Sequence, residues 1–165
     1  RAFQIPQLFG EHSVIENLTL AVAANRGFWD AWRPLDRPAS REEALRLLEM
    51  VGLADIADSN AATLPEGQRK LTDIAIALAL KPRLLLLDEP TAGVSGDEKF
   101  PLMDRLTEVL RKQQVTTVFV EHDMDLVRRY ADRVAVWSQG KVAASGPPEQ
   151  VLTDPAVLRD VVGVI

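Results

Sequence analysis

The chain has 165 residues, of which 47% are hydrophobic and 26% are charged, as in an ordinary globular domain with a core of its own. A net charge of -5, without a stripe of Lys and Arg, argues against a nucleic-acid backbone as a partner. The absence of cysteine excludes disulfides and thiolate metal sites, and no apolar run approaches the roughly 20 residues of a membrane span.

The beginning of the chain predicts a helix and an insert. Residues 13 to 24 have apolar side chains at helical spacing, with Ser13 as N-cap and Glu16 completing a capping box. Residues 25 to 40 contain two prolines and a glycine and predict an irregular insert. The insert also carries three aromatic side chains, Phe28, Trp29 and Trp32. These would pack either against a partner or onto the insert itself, and the sequence favours neither.

Two further helices are predicted before the first strand. Residues 40 to 51 begin with Ser40 as a cap and place their apolar residues on one face. Residues 65 to 80 form the next helix, in which Pro65 takes the first helical position that prolines favour.

Strand, helix and strand then follow one another. Residues 83 to 88 are a continuous apolar run, which predicts a strand buried on both faces, as in a parallel sheet. Residues 97 to 113 predict a helix, and Pro101 is expected to delay its start. Residues 115 to 120 are rich in β-branched side chains and predict a second strand.

The last part of the chain predicts smaller elements. Residues 123 to 131 predict a short helix, and residues 133 to 137 and 141 to 145 predict a hairpin. A polar helical tail follows Pro147. The succession of strands and helices is typical of an α/β domain with a parallel core sheet, in which ligands bind at the carboxyl ends of the strands.

Reactive side chains stand at both predicted carboxyl ends. Asp88 and Glu89 follow one strand, and Glu121 and His122 follow the other. A rigidly held Asp can bind Mg²⁺ on a phosphate substrate, and a neighbouring Glu can accept a proton from an attacking water. Taken alone, such a carboxylate pair is more often two solvated loop residues, so the flanking segments decide between the two interpretations.

Four segments together resemble the motifs of ABC-type ATPases, in the family's order. LLLLDEPTAG, residues 84 to 93, resembles the Walker B motif, and RAFQ, residues 1 to 4, resembles the Q-loop. LPEGQRK, residues 64 to 70, resembles the signature motif, and VEHD, residues 120 to 123, resembles the switch-histidine loop. The resemblance covers essentially the whole chain.

The resemblance implies an α/β fold of the P-loop NTPase class. Residues 1 to 165 would form a partial ABC ATPase domain with a parallel core sheet, flanking helices and a helical subdomain. The mainly helical subdomain would be residues 5 to 80, including the insert, and the α/β core would be residues 81 to 145. Residues 146 to 165 would be a helical tail.

The same resemblance implies ATP and Mg²⁺ as the bound groups and assigns roles to four residues. Asp88 would support Mg²⁺, and Glu89 would be the general base for attack of water on the γ-phosphate. Gln4 would sense the γ-phosphate and the metal and relay this to a membrane partner. His122 would contact the γ-phosphate and hold Glu89 in line. Without the other motifs, Gln4 would be an ordinary flanking glutamine and His122 an ordinary loop histidine.

The signature segment would bind the ATP of a second subunit through the N-terminus of its helix. The residues expected to contact nucleotide are Leu64, Pro65, Glu66, Gly67 and Gln68, with Ser95 in the loop after Walker B. Gly67 and Gln68 match the family pattern. At Pro65 the usual serine hydroxyl is lost, Glu66 adds a negative charge, and Ser95 replaces a common Asp or Asn. These departures leave the efficiency of the ATP sandwich open.

The glycine-rich motif GxxxxGK[ST] occurs nowhere in the 165 residues. This loop cradles the β- and γ-phosphates, and in the family it precedes the Q-loop. The expectation is therefore an N-terminally shortened part of a normal domain, which by itself neither binds ATP tightly nor hydrolyses it.

Within the family, residues 1 to 21 look most like the ATPase subunits of branched-chain amino-acid importers. This implies a peripheral subunit at the cytoplasmic face of the membrane that couples ATP-driven dimer closure to transport. Its partners would be transmembrane permease subunits, a second ABC ATPase subunit and, indirectly, a periplasmic or extracellular solute-binding protein, with no nucleic acid. The alternative is a degenerate, non-hydrolysing ABC module with a regulatory or interaction role, which Pro65, Glu66 and the missing glycine-rich loop favour.

Overall fold

The first helix begins where its capping residues predict. The computed structural model describes residues 8–26 and 37–159, and α1 spans Val14–Asn25. The Ser13 hydroxyl accepts the Glu16 N–H at 3.3 Å, and the Glu16 carboxylate accepts the Ser13 N–H at 2.7 Å. This reciprocal pair is the predicted capping box.

A buried asparagine ties the segment before α1 to the helix. Asn17 is 4% exposed. Its Nδ2 donates to the carbonyl oxygens of Phe9 and Ser13 at 3.1 and 2.9 Å, and its Oδ1 accepts the Phe9 N–H at 2.8 Å. One side chain therefore bonds both backbone groups of Phe9, whose carbonyl oxygen also accepts the His12 N–H at 3.0 Å.

The second helix begins earlier than the sequence predicts. α2 spans Pro38–Val51, with Arg37 as N-cap and Pro38 at the first helical position. Ser40 is not the cap: it is fully buried inside the helix, and within the described residues its hydroxyl has no hydrogen-bond partner. The fixed φ of proline is preorganised for the start of a helix, which explains the earlier start. The predicted apolar face is confirmed, because Ala44, Leu47, Leu48 and Val51 are buried.

Phe28, Trp29 and Trp32 lie outside the described residues, as does most of the predicted insert.

α2 ends at Gly52, which adopts the left-handed conformation with φ of 73°. Two short 3₁₀ turns follow, Ala54–Ile56 and Ala61–Thr63. The next helix, α3, spans Glu66–Ala79, with Pro65 as N-cap. The helix therefore starts one residue later than predicted, because the ψ of Pro65 is extended at 153°. α1 packs against both α2 and α3 and completes a helical layer.

Two parallel strands follow the helical layer. β1 spans Leu84–Asp88 and β2 spans Thr116–Val120, with Asp88 opposite Val120 in the register. α4, Gly96–Lys112, connects them. Pro101 lies inside α4 and does not delay its start, so this expectation is wrong. Because proline lacks an N–H, Pro101 removes one hydrogen bond near the N-terminus, and the helix continues through it.

The prediction that β1 is buried on both faces is also wrong for the described residues. Leu85 and Leu87 are 1% and 4% exposed, but Leu84 and Leu86 are 52% and 45% exposed. Successive side chains of a strand point to opposite faces of the sheet, and the described residues bury only one of them. A continuous apolar run shows that both faces of a strand are suited to burial. Whether each face is buried depends on the elements that pack against it.

A second compact unit begins at Glu121. α5 spans Met124–Tyr130, and β3, Val134–Ser138, pairs antiparallel with β4, Lys141–Gly146. Two short helices follow, α6 at Pro148–Val151 and α7 at Pro155–Val157.

The predicted hairpin of this unit is confirmed, and the described part of the predicted tail is helical at α6 and α7. Gln139 and Gly140 form the two-residue turn with φ of 49° and 75°, as in turns of type I′. Val136, Val151 and Val157 form the core of the unit.

None of the helices in the described ranges is long and apolar enough to cross a bilayer.

Candidate functional site

The carboxylate pair lies where the sequence places it, at the carboxyl end of β1. Asp88 is the last residue of the strand and is exposed. Because β1 and β2 are parallel and Asp88 is opposite Val120, both strands end at the same edge of the sheet. Such edges are the ligand-binding sides of parallel sheets.

Glu89 leaves the strand in a strained conformation. Its φ is 46°, in the left-handed region that non-glycine residues rarely adopt. Its N–H donates to the Val120 carbonyl oxygen at 3.0 Å. Its own carbonyl oxygen accepts the Ala92 N–H at 3.0 Å and Lys70 Nζ at 3.2 Å. Hydrogen bonds on both sides of the residue therefore hold the strained turn.

The signature segment forms the N-terminus of α3, in the same compact unit as the carboxylate pair. Leu64 is buried and Pro65 is exposed, and Glu66, Gly67 and Gln68 are half-buried. A Cβ added to Gly67 would meet nothing within 4 Å. The backbone at this helix start is therefore open to close approach.

The Glu66 side chain packs against the loop that follows β1. Its Cγ lies 3.5 Å from the position that a Cβ on Gly93 would occupy, and Gly93 has φ of 76°. Glu66 and Lys70 are one helical turn apart, so their side chains lie on the same face of α3. That face contacts the turn at Glu89 through Lys70 and the loop at Gly93 through Glu66.

The remaining predicted site residues are placed as follows. Ser95 is the exposed N-cap of α4, and its carbonyl oxygen accepts the Glu98 N–H at 3.0 Å. His122 is exposed and belongs to the second unit. It precedes Asp123, whose carboxylate caps α5. Gln4 lies outside the described residues.

The described residues fit Mg²⁺ better than a metal that needs a full protein cage. Across residues 8–26 and 37–159, no group of three or more His, Cys, Asp or Glu side chains could hold a metal ion. Mg²⁺ commonly uses only one or two carboxylates and completes its shell with phosphate oxygens and water. The exposed carboxylate of Asp88 suits that kind of binding.

Sequence reasoning missed Lys70. This lysine is 5% exposed, although Lys is almost never fully buried without a partner. A signal was present: Lys70 lies four residues before Ile74 and eight before Leu78, both of which are buried. The apolar stripe of α3 therefore continues backwards onto a lysine, which indicates a buried ammonium group that needs a hydrogen-bond acceptor.

Comparisons with known proteins agree with the motifs. The family model described as ABC transporter matches residues 1–92. The chain is 36% identical to the high-affinity branched-chain amino acid transport ATP-binding protein BraF of Pseudomonas aeruginosa, over 99% of this chain and 67% of BraF. It is 33% identical to the phosphonates import ATP-binding protein PhnC 2 of a Synechococcus species, over 97% of this chain and 61% of that protein.

A solved structure shares the fold. MJ1267, an ATP-binding cassette of an ABC transporter, superimposes with a TM-score of 0.79 at 31% identity, over 96% of this chain and 66% of that one. The chain belongs to the ABC transporter family and has the fold of its ATP-binding cassettes. It spans about two thirds of the length of these relatives.

Proposed function

We propose that this chain is part of an ATP-hydrolysing importer subunit, of the type that serves branched-chain amino acids or related solutes. The observation that carries the proposal is the pair Asp88 and Glu89 at the carboxyl end of β1, with Glu89 held between β2 and α3. The similarity to BraF supports the solute class. The chain is also similar to a phosphonate importer subunit, so its sequence alone does not identify the solute. In this proposal the partner proteins select it.

Each carboxylate has one role in the proposed reaction. The Asp88 carboxylate binds Mg²⁺, which supplies positive charge against the phosphate oxygens when it is bound. The Glu89 carboxylate accepts a proton from the water that attacks the γ-phosphate. The hydrogen bonds on the Glu89 backbone support this role, because a general base must be held within reach of its proton. By the family pattern, His122 and Gln4 contact the γ-phosphate.

The signature segment serves the ATP of a second subunit in this proposal. Leu64 to Gln68 and Ser95 would contact that nucleotide, and the open backbone at Gly67 supports such an approach. The Glu66 side chain is directed toward Gly93. We propose that this orientation reduces the repulsion between its carboxylate and a polyphosphate at the helix N-terminus.

The proposed partners follow from the importer assignment. They are a second ABC ATPase subunit, transmembrane permease subunits and, indirectly, a solute-binding protein outside the membrane. The subunit would act at the cytoplasmic face of the membrane, and closure of the ATP-bound dimer would drive the change in the permease.

A second candidate is a degenerate, non-hydrolysing ABC module with a regulatory role. The observations that favour it are Pro65 and Glu66 in the signature segment and the absence of GxxxxGK[ST] from these residues. The intact mass of the native product separates the two candidates. A product heavier than 18.2 kDa that carries the glycine-rich motif supports the ATPase, whereas a native product of 18.2 kDa supports the regulatory module.

The enzymatic test is Mg²⁺-dependent ATP hydrolysis by the native product and its Glu89→Gln variant. We expect Glu89→Gln to lower kcat by roughly 10² to 10⁴, because the proton acceptor is lost, while ATP binding is retained. Glu108→Gln is the matched control, since Glu108 is an exposed residue of α4 paired with Lys112. Full activity of Glu89→Gln, or no hydrolysis by the native product, would reject the proposal. The 165 residues alone should show no such activity.

A further inference from the structure

Lys70 is a buried charged group with no role in the proposed reaction so far. It lies on α3, one turn after Glu66, and is 5% exposed. An ammonium group loses its water on burial and must recover hydrogen bonds from the protein. Lys70 Nζ donates to the carbonyl oxygen of Glu89 at 3.2 Å. The contact joins the signature helix to the residue that carries the second carboxylate.

The acceptor is the backbone of a strained residue. A left-handed φ of 46° is strained for a glutamate and persists only where neighbouring groups enforce it. Val120 holds the Glu89 N–H from β2, and Lys70 holds the Glu89 carbonyl from α3. Because the two peptide groups that flank the Cα are both fixed, the direction of its Cα–Cβ bond is fixed as well.

A charged donor is suited to this task. A hydrogen bond from an ionised donor is roughly twice as strong as a neutral one, and the low exposure of Lys70 reduces competition from water. The long side chain also lets α3 reach the turn without close approach of the two backbones. The Glu66 side chain lies beside Gly93 from the same face of α3, 3.5 Å from where a Cβ on Gly93 would be.

We propose that Lys70 is a positioning residue for the general base: it holds the backbone of Glu89 in the left-handed turn and thereby aims the Glu89 carboxylate. The inference rests on the proposed ATPase function. Lys70 acts through Glu89 and makes no contact with nucleotide in this proposal. Its loss should therefore lower the rate of hydrolysis without changing the affinity for ATP.

The test compares Lys70→Met with Lys112→Met in the native protein. Lys112 is an exposed lysine of α4, so its variant controls for the loss of a lysine charge. We expect Lys70→Met to lower kcat roughly tenfold to a hundredfold, as for a misaligned catalytic group, with the dissociation constant of ATP unchanged. Lys70→Arg, which keeps a charged donor, should recover part of the rate. An unchanged kcat, or a loss that appears only in ATP affinity, would overturn the proposal.

Amide hydrogen exchange provides a readout that does not need activity. The Ala92 N–H donates to the same carbonyl oxygen as Lys70. Its exchange should accelerate roughly tenfold in Lys70→Met, because the turn opens more often, and stay unchanged in Lys112→Met. If Lys70→Met does not fold, Lys70→Gln retains a polar side chain too short to replace the bond, and the same two results are expected.

The two proposals can fail separately. If the native protein shows no Mg²⁺-dependent hydrolysis, the proposed function is rejected, and the positioning role of Lys70 in catalysis is rejected with it. With a hydrolysing native protein, either an unchanged kcat or an unchanged Ala92 exchange in Lys70→Met or Lys70→Gln would reject only the role of Lys70.

Discussion

Gly52 ends α2 in a conformation that other residues enter only at a cost. Its φ is 73°, and a Cβ placed on it would lie 2.9 Å from the guanidinium carbon of Arg105. We expect Gly52→Ala to lower the free energy of unfolding by about 1–2 kcal/mol, because both the backbone and the packing of Arg105 must adjust. Chemical denaturation would measure this loss.

Gly96 offers a matched control for that substitution. It is the first residue of α4, its φ is not left-handed, and an added Cβ would meet nothing within 4 Å. Gly96→Ala should therefore leave stability unchanged or raise it slightly. Equal losses in the two variants would contradict the assignment of a special conformation to Gly52.

The sequence predicts the position of the carboxylate pair better than the orientation of the side chains around it. Asp88 ends a strand and Glu89 follows it, as the pattern requires. The direction of Glu66 could not be predicted, because it depends on the distant Gly93, which leaves space for the Glu66 side chain. Burial of Lys70 likewise depends on an acceptor 19 residues away in the chain. The local spacing of Lys70 before Ile74 and Leu78 indicates that it is buried, but the identity of such a long-range partner leaves no local pattern.

At the scale of elements, α1 depends on one asparagine for its connection to the preceding segment. Asn17→Ala should lower the free energy of unfolding by about 2–3 kcal/mol, since three hydrogen bonds with Phe9 and Ser13 are lost at about 1 kcal/mol each. Asn25→Ala, at the exposed end of the same helix, should change stability little. Thermal or urea unfolding of both variants checks the prediction, and a loss below that of Asn25→Ala would refute it.

The longer helices of the described residues were predictable in approximate position, whereas their starts depend on prolines. Pro38 opens α2, Pro65 precedes α3, and Pro101 lies within α4. Proline is favoured in the first turn of a helix, as at Pro38, but Pro101 lies beyond that turn and costs α4 a hydrogen bond. The residue type alone therefore cannot decide where a helix begins. Ser40 illustrates the consequence, because a good capping residue became buried once Pro38 had started the helix.

At the scale of the molecule, an ionic cluster links three parts of the first unit. Glu43 of α2 pairs with Arg26 at the end of α1 and with Lys81 after α3, the latter at 3.1 Å. Burial alone would raise the pKa of Glu43, but hydrogen bonds from Lys81 and Arg26 outweigh it and hold this pKa below its ordinary value of 4.5. The folded state therefore favours the charged carboxylate.

The cluster predicts a pH dependence of stability. Because the pKa of Glu43 is lower in the folded state, its contribution is fully present above about pH 4.5 and is lost as the pH falls through the folded-state value. Glu43→Gln should lower the free energy of unfolding by about 1 kcal/mol at pH 7. The difference in stability between the variant and the wild type should shrink below about pH 4.5. Denaturation at pH 7 and pH 3.5 tests this, with Glu42→Gln, an exposed partner of Arg46, as control. A difference that does not depend on pH would contradict it.

The order of the motifs along the whole chain carried more information than any single element. Four segments in order, at residues 1 to 4, 64 to 70, 84 to 93 and 120 to 123, together indicated the family, which the comparisons confirm. Burial of β1 was not predictable in the same way, because it depends on which elements cover the sheet, and its second face is exposed at Leu84 and Leu86. The roles of all the site residues, from Asp88 and Glu89 to Gln4, His122 and the signature segment, stay predictions.

The left-handed turn at Glu89 also bears on how this protein could be engineered. Glycine would adopt φ of 46° without strain, so Glu89→Gly removes a conformational penalty of about 1 kcal/mol and with it the carboxylate. A selection for heat resistance alone would therefore favour the variant that a selection for transport would discard. In the proposed function, stability and activity are therefore opposed at this one position, where Lys70 donates a hydrogen bond to the Glu89 carbonyl oxygen.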